Sequence, residues 1–254
     1  MQDESERLER WHGKVALVTG ASAGIGHAVA LALAGIGMRV AITARRAERL
    51  ETLRNELTAH GAEVLAVAAD LATPQGPGEV FARVRETWGG VDVLVNNAGL
   101  GHRVPVSEAD WEHLQPLLDL NVRAATLCMQ EALRDMQGKQ DAAIINVSSV
   151  AGHRVPPGHG ATFYAATKHA LKAITDGLRM ELVRKHSPVK IGMLSPGMVE
   201  SEFHDVATPG GRAGGYEFPP LKAEDIADAL LYMLSVPRRV QIHDIVLRSV
   251  HQPH

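Results

Sequence analysis

Short apolar runs spaced by longer stretches of helical period set the tightest limit on how this chain can fold. The runs are KVALVT (14–19), MRVAIT (38–43), EVLAVAA (63–69), VDVLVN (91–96), AIINVS (143–148) and VKIGMLS (189–195). Each is nearly continuous in apolar residues, as a strand covered on both faces must be. Helical patterns separate them at about 25–35, 46–60, 111–136 and 162–186, with another starting near Lys222. Such alternation predicts an α/β fold: a doubly wound parallel sheet of about seven strands with helices on both faces. Neither ATPQGPG (72–78) nor TPGGRAGG (208–215) is long enough to link two domains. One domain over 1–254 is expected, with a mobile substrate loop at about 200–221.

The first run leads into Thr19-Gly-Ala-Ser-Ala-Gly-Ile-Gly26, at the point where strand gives way to helix. A dinucleotide needs such a turn, because a glycine bend lets the backbone approach a pyrophosphate and the helix N-terminus attracts its charge. Gly20, Ser22, Ala23, Gly24, Ile25 and Gly26 are therefore expected to hold a cofactor in a Rossmann-like sheet. The GxxxGxG spacing departs from the commoner GxGxxG. Gly20 would permit the turn, Gly24 the close approach and Gly26 the helix packing.

At the end of the second run stand Thr43-Ala44-Arg45-Arg46, where an NAD site would carry an acidic residue. Two guanidiniums without a carboxylate favour NADP(H) over NAD(H). Arginines also oppose the dipole at a helix start, so a local anion would account for their placement. Asp70-Leu71 follows the third run and suits an adenine amino group, or a capping role before the next helix. Asn97, Ala98 and Gly99 follow the fourth, where small residues admit a ribose and an amide can hold neighbouring strands.

A second constellation carries reaction chemistry. Tyr164-Ala-Ala-Thr-Lys168 sits on a helical pattern, and Ser149 lies fifteen positions before the tyrosine. Residues four apart share a helix face, so the ammonium of Lys168 can stand beside the phenol. A tyrosine pKa of about 10 is roughly three units too high for a base at neutral pH, or about 4 kcal/mol. A nearby positive charge supplies part of that difference. Ser149 could hold the substrate oxygen, whereas Ser148 would point the other way if the strand persists that far.

Bulk properties narrow the partners. A net charge of −3 and pI near 6.5 offer no concentrated basic face, so no nucleic-acid partner is expected. No apolar run reaches membrane-spanning length and the first residues lack a secretory pattern, so no membrane partner and a cytoplasmic location are expected. The single cysteine, Cys128, reads as core packing. The thirteen histidines are scattered without ligand spacing, so no metal is expected.

Taken in order, TGASAGIG, NNAG, Asn121, Ser149–Tyr164–Lys168 and Ser195-Pro196-Gly197 resemble the short-chain dehydrogenase/reductases, single-domain branch, over nearly the whole chain. The resemblance implies that Tyr164 is the acid/base, that Lys168 lowers its pKa and binds the nicotinamide ribose, that Ser149 orients the substrate, and that Asn121 holds a water in a proton relay. It implies that Pro196, Gly197, Val199 and Ser201 line the nicotinamide pocket, with Val199 accepting the carboxamide and Ser201 standing where the family often has threonine. Ala23 occupies a place where some NADP-using members have arginine, leaving the phosphate to Arg45 and Arg46. Helices such as 111–136 and 162–186 pack against their copies in the family, implying a homodimer or homotetramer.

A narrower resemblance, carried by AGHRVPP, FYAATKHALKAITDGLR and LKAEDIADALLYMLSVPRRVQIHDIVLR, is to the NADP-dependent dehydrogenase/reductase member 11 group and insect farnesol dehydrogenases. The expected activity is hydride transfer between NADP(H) and a small-molecule secondary alcohol or ketone. Leu100, His102, Val155, Pro156, His159, Phe203 and Tyr216 would favour a hydrophobic, steroid- or terpenoid-like one. His153 and Arg154 could instead bind the carboxylate of a 3-hydroxy acid. Isomerase, dehydratase or dehalogenase chemistry on the same scaffold and a non-catalytic nucleotide-sensing module are the competing readings.

Overall fold

The computed structural model describes residues 4–156, 160–203 and 216–253. Its strands are β1 (Val15–Thr19), β2 (Arg39–Ala44), β3 (Val64–Ala68), β4 (Val93–Asn96), β5 (Ala143–Val147), β6 (Lys190–Pro196) and β7 (Asp244–Leu247). They form one sheet in the order β3-β2-β1-β4-β5-β6-β7, and every neighbouring pair is parallel. The first six match the apolar runs to within two residues at each end, and β7 completes the expected seven.

The helices are α1 (Glu4–Leu8), α2 (Gly24–Gly35), α3 (Ala47–Ala59), α4 (Gly76–Trp88), α5 (Trp111–Leu118), α6 (Ala125–Asp135), α7 (Thr162–Arg184) and α8 (Ala223–Ser235). Because side chains alternate along a strand, β1 to β6 feed two cores, while edge strand β7 packs Ile245 and Leu247 on one and leaves Val246 exposed. Ala16, Val18, Val40, Ile42 and Val95 face Val29 and Leu33 of α2, Leu50 and Leu53 of α3, and Ile226 and Leu230 of α8. Leu17, Ala41, Leu94, Ile144 and Ile191 face Val80 and Phe81 of α4, Cys128 and Met129 of α6, and Leu171 of α7. Burying each large side chain contributes about 1.5–3 kcal/mol, which is why both faces must be covered. Cys128 packs in this second core, and burial pushes its thiol up to about 12; the expected packing role fits.

The expected helix over 111–136 is not continuous α-helix. Residues Asp119–Ala124 form a π turn between α5 and α6, with Asn121 inside it. Pro116 lies within α5 and has no N–H to give to the preceding turn, which weakens the helical ladder just before the wider turn begins.

β1 has β2 on one side and β4 on the other, so the chain leaves the sheet centre in opposite directions. A crevice opens where two such crossovers part, at the carboxyl ends of the strands. The segments following β1, β2, β3, β4, β5 and β6 all converge there.

Candidate active site

The glycine turn after β1 is shaped by close contact. Gly20 adopts φ +66°, and a Cβ there would lie 2.8 Å from Ala98 Cα. A Cβ on Gly26 would strike the Gly20 carbonyl oxygen and stand 2.5 Å from Asn97 Nδ2. Asn97 Nδ2 in turn donates to the Thr19 and Gly20 carbonyls at 2.9 and 3.1 Å, locking the turn to the end of β4. Gly26 therefore packs α2 against the turn and lies beneath the cleft wall. The N-cap of α2 is Ala23, which has no side chain able to cap, so the first N–H groups of the helix face the crevice unclaimed by a capping side chain. That is the donor set a pyrophosphate needs, and the residues present fit a dinucleotide.

Around this turn lies a cleft of about 600 Å³, within the range of small-molecule sites. Gly20, Ser22, Ala23, Gly24 and Ile25 line it, as do Arg45, Arg46, Asp70, Leu71, Asn97, Ala98 and Gly99. From the other half come Ser149, Tyr164, Lys168, Pro196, Gly197, Val199 and Ser201. Two expected residues, Gly26 and Asn121, are not on the wall.

Asn121 is buried, and its side chain is engaged at both ends. Oδ1 accepts from Leu100 N at 2.7 Å, while Nδ2 donates to the Leu100 carbonyl at 2.8 Å and to Thr167 Oγ1 at 3.0 Å. The π turn thus braces the loop after β4 against α7. Asp70 both lines the cleft and closes its own turn, with Oδ1 accepting from Ala72 N at 2.9 Å; the cap of α4 falls instead at Gln75.

β5 ends at Val147, one residue before the expected strand end, so the strand does not persist to Ser148 and the condition for its pointing the other way is not met. Released from strand alternation, Ser148 also lines the cleft, and its Oγ is buried without a hydrogen-bond partner. Ser149 caps a short 3-10 turn, Val150–Gly152, by accepting from Ala151 N at 3.1 Å.

On α7, Tyr164 and Lys168 share the buried face toward the cleft. Lys168 Nζ lies 5.8 Å from the centre of the Tyr164 ring and donates to the Val147 carbonyl at 3.0 Å. Burial pushes the lysine down to about 8. Burial also pushes the Tyr164 phenol up to about 12, and a hydrogen bond with Ser149 pulls the other way. In the protein alone desolvation outweighs the Ser149 hydrogen bond, so the phenol keeps its proton at neutral pH. Phe203 packs its ring on Tyr164 with centroids 5.7 Å apart.

Of the side chains expected to meet the substrate, Leu100, His102, Pro156 and Phe203 line the cleft. Val155 is exposed and is not on the wall, and the Tyr216 hydroxyl accepts from Ser201 N at 3.3 Å. His159 and the loop residues 204–215 lie outside the described residues. His153 turns away from the wall to Asp244 and Ser195, and Arg154 does not line it either. Arg103 and Glu202, which were not singled out in the sequence, do line it. Among the described residues no group of three or more His, Cys, Asp or Glu side chains could hold a metal ion. Nor is any helix among them long and apolar enough to cross a membrane.

The family model described as short chain dehydrogenase matches residues 14–210. The chain belongs to that family. It is similar to dehydrogenase/reductase SDR family member 11 of Gallus gallus, 41% identical over 254 residues, with 96% of this chain and 99% of that protein covered. Farnesol dehydrogenase of Aedes aegypti is 40% identical over 247 residues, covering 96% and 98%. Among solved structures, the alcohol dehydrogenase from the archaeon Thermococcus sibiricus complexed with 5-hydroxy-NADP matches with TM-score 0.85 at 30% identity, covering 96% of this chain and 99% of that one. The closed form of serine dehydrogenase complexed with NADP+ matches with TM-score 0.86 at 29% identity, covering 94% and 96%. This chain's seven-strand parallel sheet, flanked by helices, thus matches these solved structures over nearly its whole length, and the protein is an oxidoreductase of this family.

Proposed function

We propose that the cleft moves a hydride between NADP(H), in preference to NAD(H), and a hydrophobic secondary alcohol or ketone of steroid- or terpenoid-like kind. The observation that carries this reading is the convergence of Ser149, Tyr164 and Lys168 on the same cleft as the uncapped start of α2. A nicotinamide cofactor held there supplies the carbon that gives or receives the hydride. The chain's own residues do the rest. Ser149 holds the substrate oxygen, and Tyr164 moves the proton that matches the hydride. With its phenol pushed up to about 12 by burial, Tyr164 carries its proton at neutral pH, the form that carbonyl reduction starts from. Oxidation requires the phenolate, which the positive charge of Lys168 favours.

NADP is supported by Arg45 and Arg46 at the cleft and by the absence of a carboxylate in the Thr43–Arg46 segment. The NADP-type molecules bound in the two structural relatives agree with it. A hydrophobic substrate is supported by Leu100, Pro156 and Phe203 in the wall. A second reading, a 3-hydroxy acid, is favoured by His102 and Arg103 in the same wall. We read the chain as one domain that assembles as a homodimer or homotetramer, which the exposed Trp111, Met180 and Val183 on α5 and α7 support.

Tyr164→Phe tests the assignment. Carbonyl reduction by the variant should fall by about 10²–10⁴-fold, while NADPH binding followed by fluorescence stays within about twofold. An unchanged rate overturns the role of Tyr164. Steroid, terpenoid and 3-hydroxy-acid substrates compared with both cofactors decide the substrate class.

A further inference from the structure

One guanidinium at the cleft mouth is already held by an anion from its own chain. Arg46 Nε and Nη2 lie 3.2 and 2.9 Å from Ser22 Oγ in the glycine turn, and its Nη1 donates to Glu202 Oε2 at 2.9 Å. Arg49, one turn further along α3, donates to both oxygens of the same carboxylate at 2.7 Å. The two arginines, Arg46 first, hold the Glu202 carboxyl below its usual range. It is therefore ionised at neutral pH. Glu202 comes from the segment after β6 and reaches across the cleft to the first turn of α3. Arg46 is the residue at the start of that helix, where an anion offsets the otherwise unfavourable placement of a cation.

We propose that Glu202 is a specificity-determining residue: an internal carboxylate that competes with the 2′-phosphate of NADP(H) for Arg46 and Arg49. The inference rests on the NADP reading above and goes further, because it sets how strongly that preference is expressed. A bound 2′-phosphate and the Glu202 carboxylate, both anions, cannot share the same donors without repulsion, so one must leave when the other binds. A 2′-hydroxyl carries no charge and makes no such demand. Glu202 thus lowers affinity for the phosphorylated dinucleotide while leaving the unphosphorylated one nearly untouched. Arg46, Arg49 and Glu202 are all about half exposed, so the competition is modest and weakens with salt. Its reach is wider than its strength: Ser201, just before Glu202, stands against Gly24, and Phe203, just after it, packs on Tyr164.

The test is calorimetric titration of adenosine 2′,5′-bisphosphate and of ADP into the wild-type chain, Glu202→Gln and Arg46→Ala, needing no turnover. Glu202→Gln should bind the 2′,5′-bisphosphate roughly three- to tenfold more tightly and ADP within about twofold of wild type, with the gain shrinking at high salt. Arg46→Ala should lose affinity for the bisphosphate alone. Unchanged or weaker bisphosphate binding by Glu202→Gln, with Arg46→Ala still impaired, overturns the competition and leaves the NADP reading standing. If Arg46→Ala loses nothing, both fall. Glu202 is a surface residue, and matching thermal unfolding of Glu202→Gln and wild type confirms that the comparison is between folded proteins.

Discussion

His153 Nε2 stands 3.0 Å from Asp244 Oδ2, joining the turn that carries Ser149 to β7 at the far edge of the sheet. Ser195 Oγ completes the cluster, donating to Asp244 Oδ1 at 2.8 Å and lying 3.1 Å from the same histidine nitrogen. A serine, a histidine and an aspartate together suggest acyl transfer, but here one nitrogen serves both partners, so no relay through the ring is possible. The cluster instead fixes the turn after β5 against the end of β6, just before Pro196 and Gly197. His153→Ala should lower kcat/KM about tenfold and stability by about 1–2 kcal/mol. His153→Gln, whose amide can still reach Ser195 Oγ, should restore most of the activity. Steady-state kinetics with urea unfolding of both variants check this.

Lys168 makes stability depend on pH in a particular direction. Between about 8 and 10.5 the unfolded chain still holds a proton that the folded lysine has shed, so raising pH through that window stabilises the fold. Tyr164 acts oppositely between 10.0 and about 12, where the unfolded phenol has ionised and the folded one has not. In Lys168→Met the first rise should shrink by up to roughly 3 kcal/mol relative to wild type. Lys190, also pushed down to about 8 by burial, contributes to the rise in both proteins, so their difference isolates Lys168. Urea unfolding from about pH 7 to about pH 10 measures it.

Gly26→Ala puts a methyl where the Gly20 carbonyl and the Asn97 amide already touch. Neither neighbour can yield without opening the turn. The substitution should cost about 1–3 kcal/mol and weaken dinucleotide binding at least about tenfold. Thermal unfolding and a cofactor titration on the same sample read both effects.

Asn146 is a buried hub between sheet and helices. Its Oδ1 accepts from Asn96 Nδ2 at 3.0 Å, and its Nδ2 donates to Thr175 Oγ1 at 2.8 Å. Asn96 also donates to the Ala125 carbonyl where the π turn meets α6. Asn146→Ala leaves polar groups unpaired in the core, and about 2–3 kcal/mol of stability should be lost in urea unfolding.

The sheet was legible because a strand buried on both faces has little choice but Val, Ile, Leu and Ala, and the six runs carry that mark. The glycine turn and the Tyr164–Lys168 pair were legible because local spacing alone places them. Contacts between distant segments were not. That Glu202 meets Arg46, that His153 meets Asp244, or that the Asn121 amide is spent on Leu100 depends on where the chain returns after a long excursion, which no local pattern encodes. The placement of Ser148 hung on one residue of strand length, since a single step decides which way a side chain points. The π turn was hidden because its six residues are as helix-compatible as their neighbours.

That turn has a consequence for heredity as well as shape. An insertion of one residue into an ancestral α-helix would produce such a loop, and removing one residue from Asp119–Ala124 would restore a regular spiral. Because the wider turn takes up the extra residue, α5 and α6 would keep the faces they now present, Leu117 would stay in its apolar seat, and the change would fall on the Asn121 amide and the loop it secures. Shortening the chain here by a single codon would thus spare the core and unfasten the loop after β4.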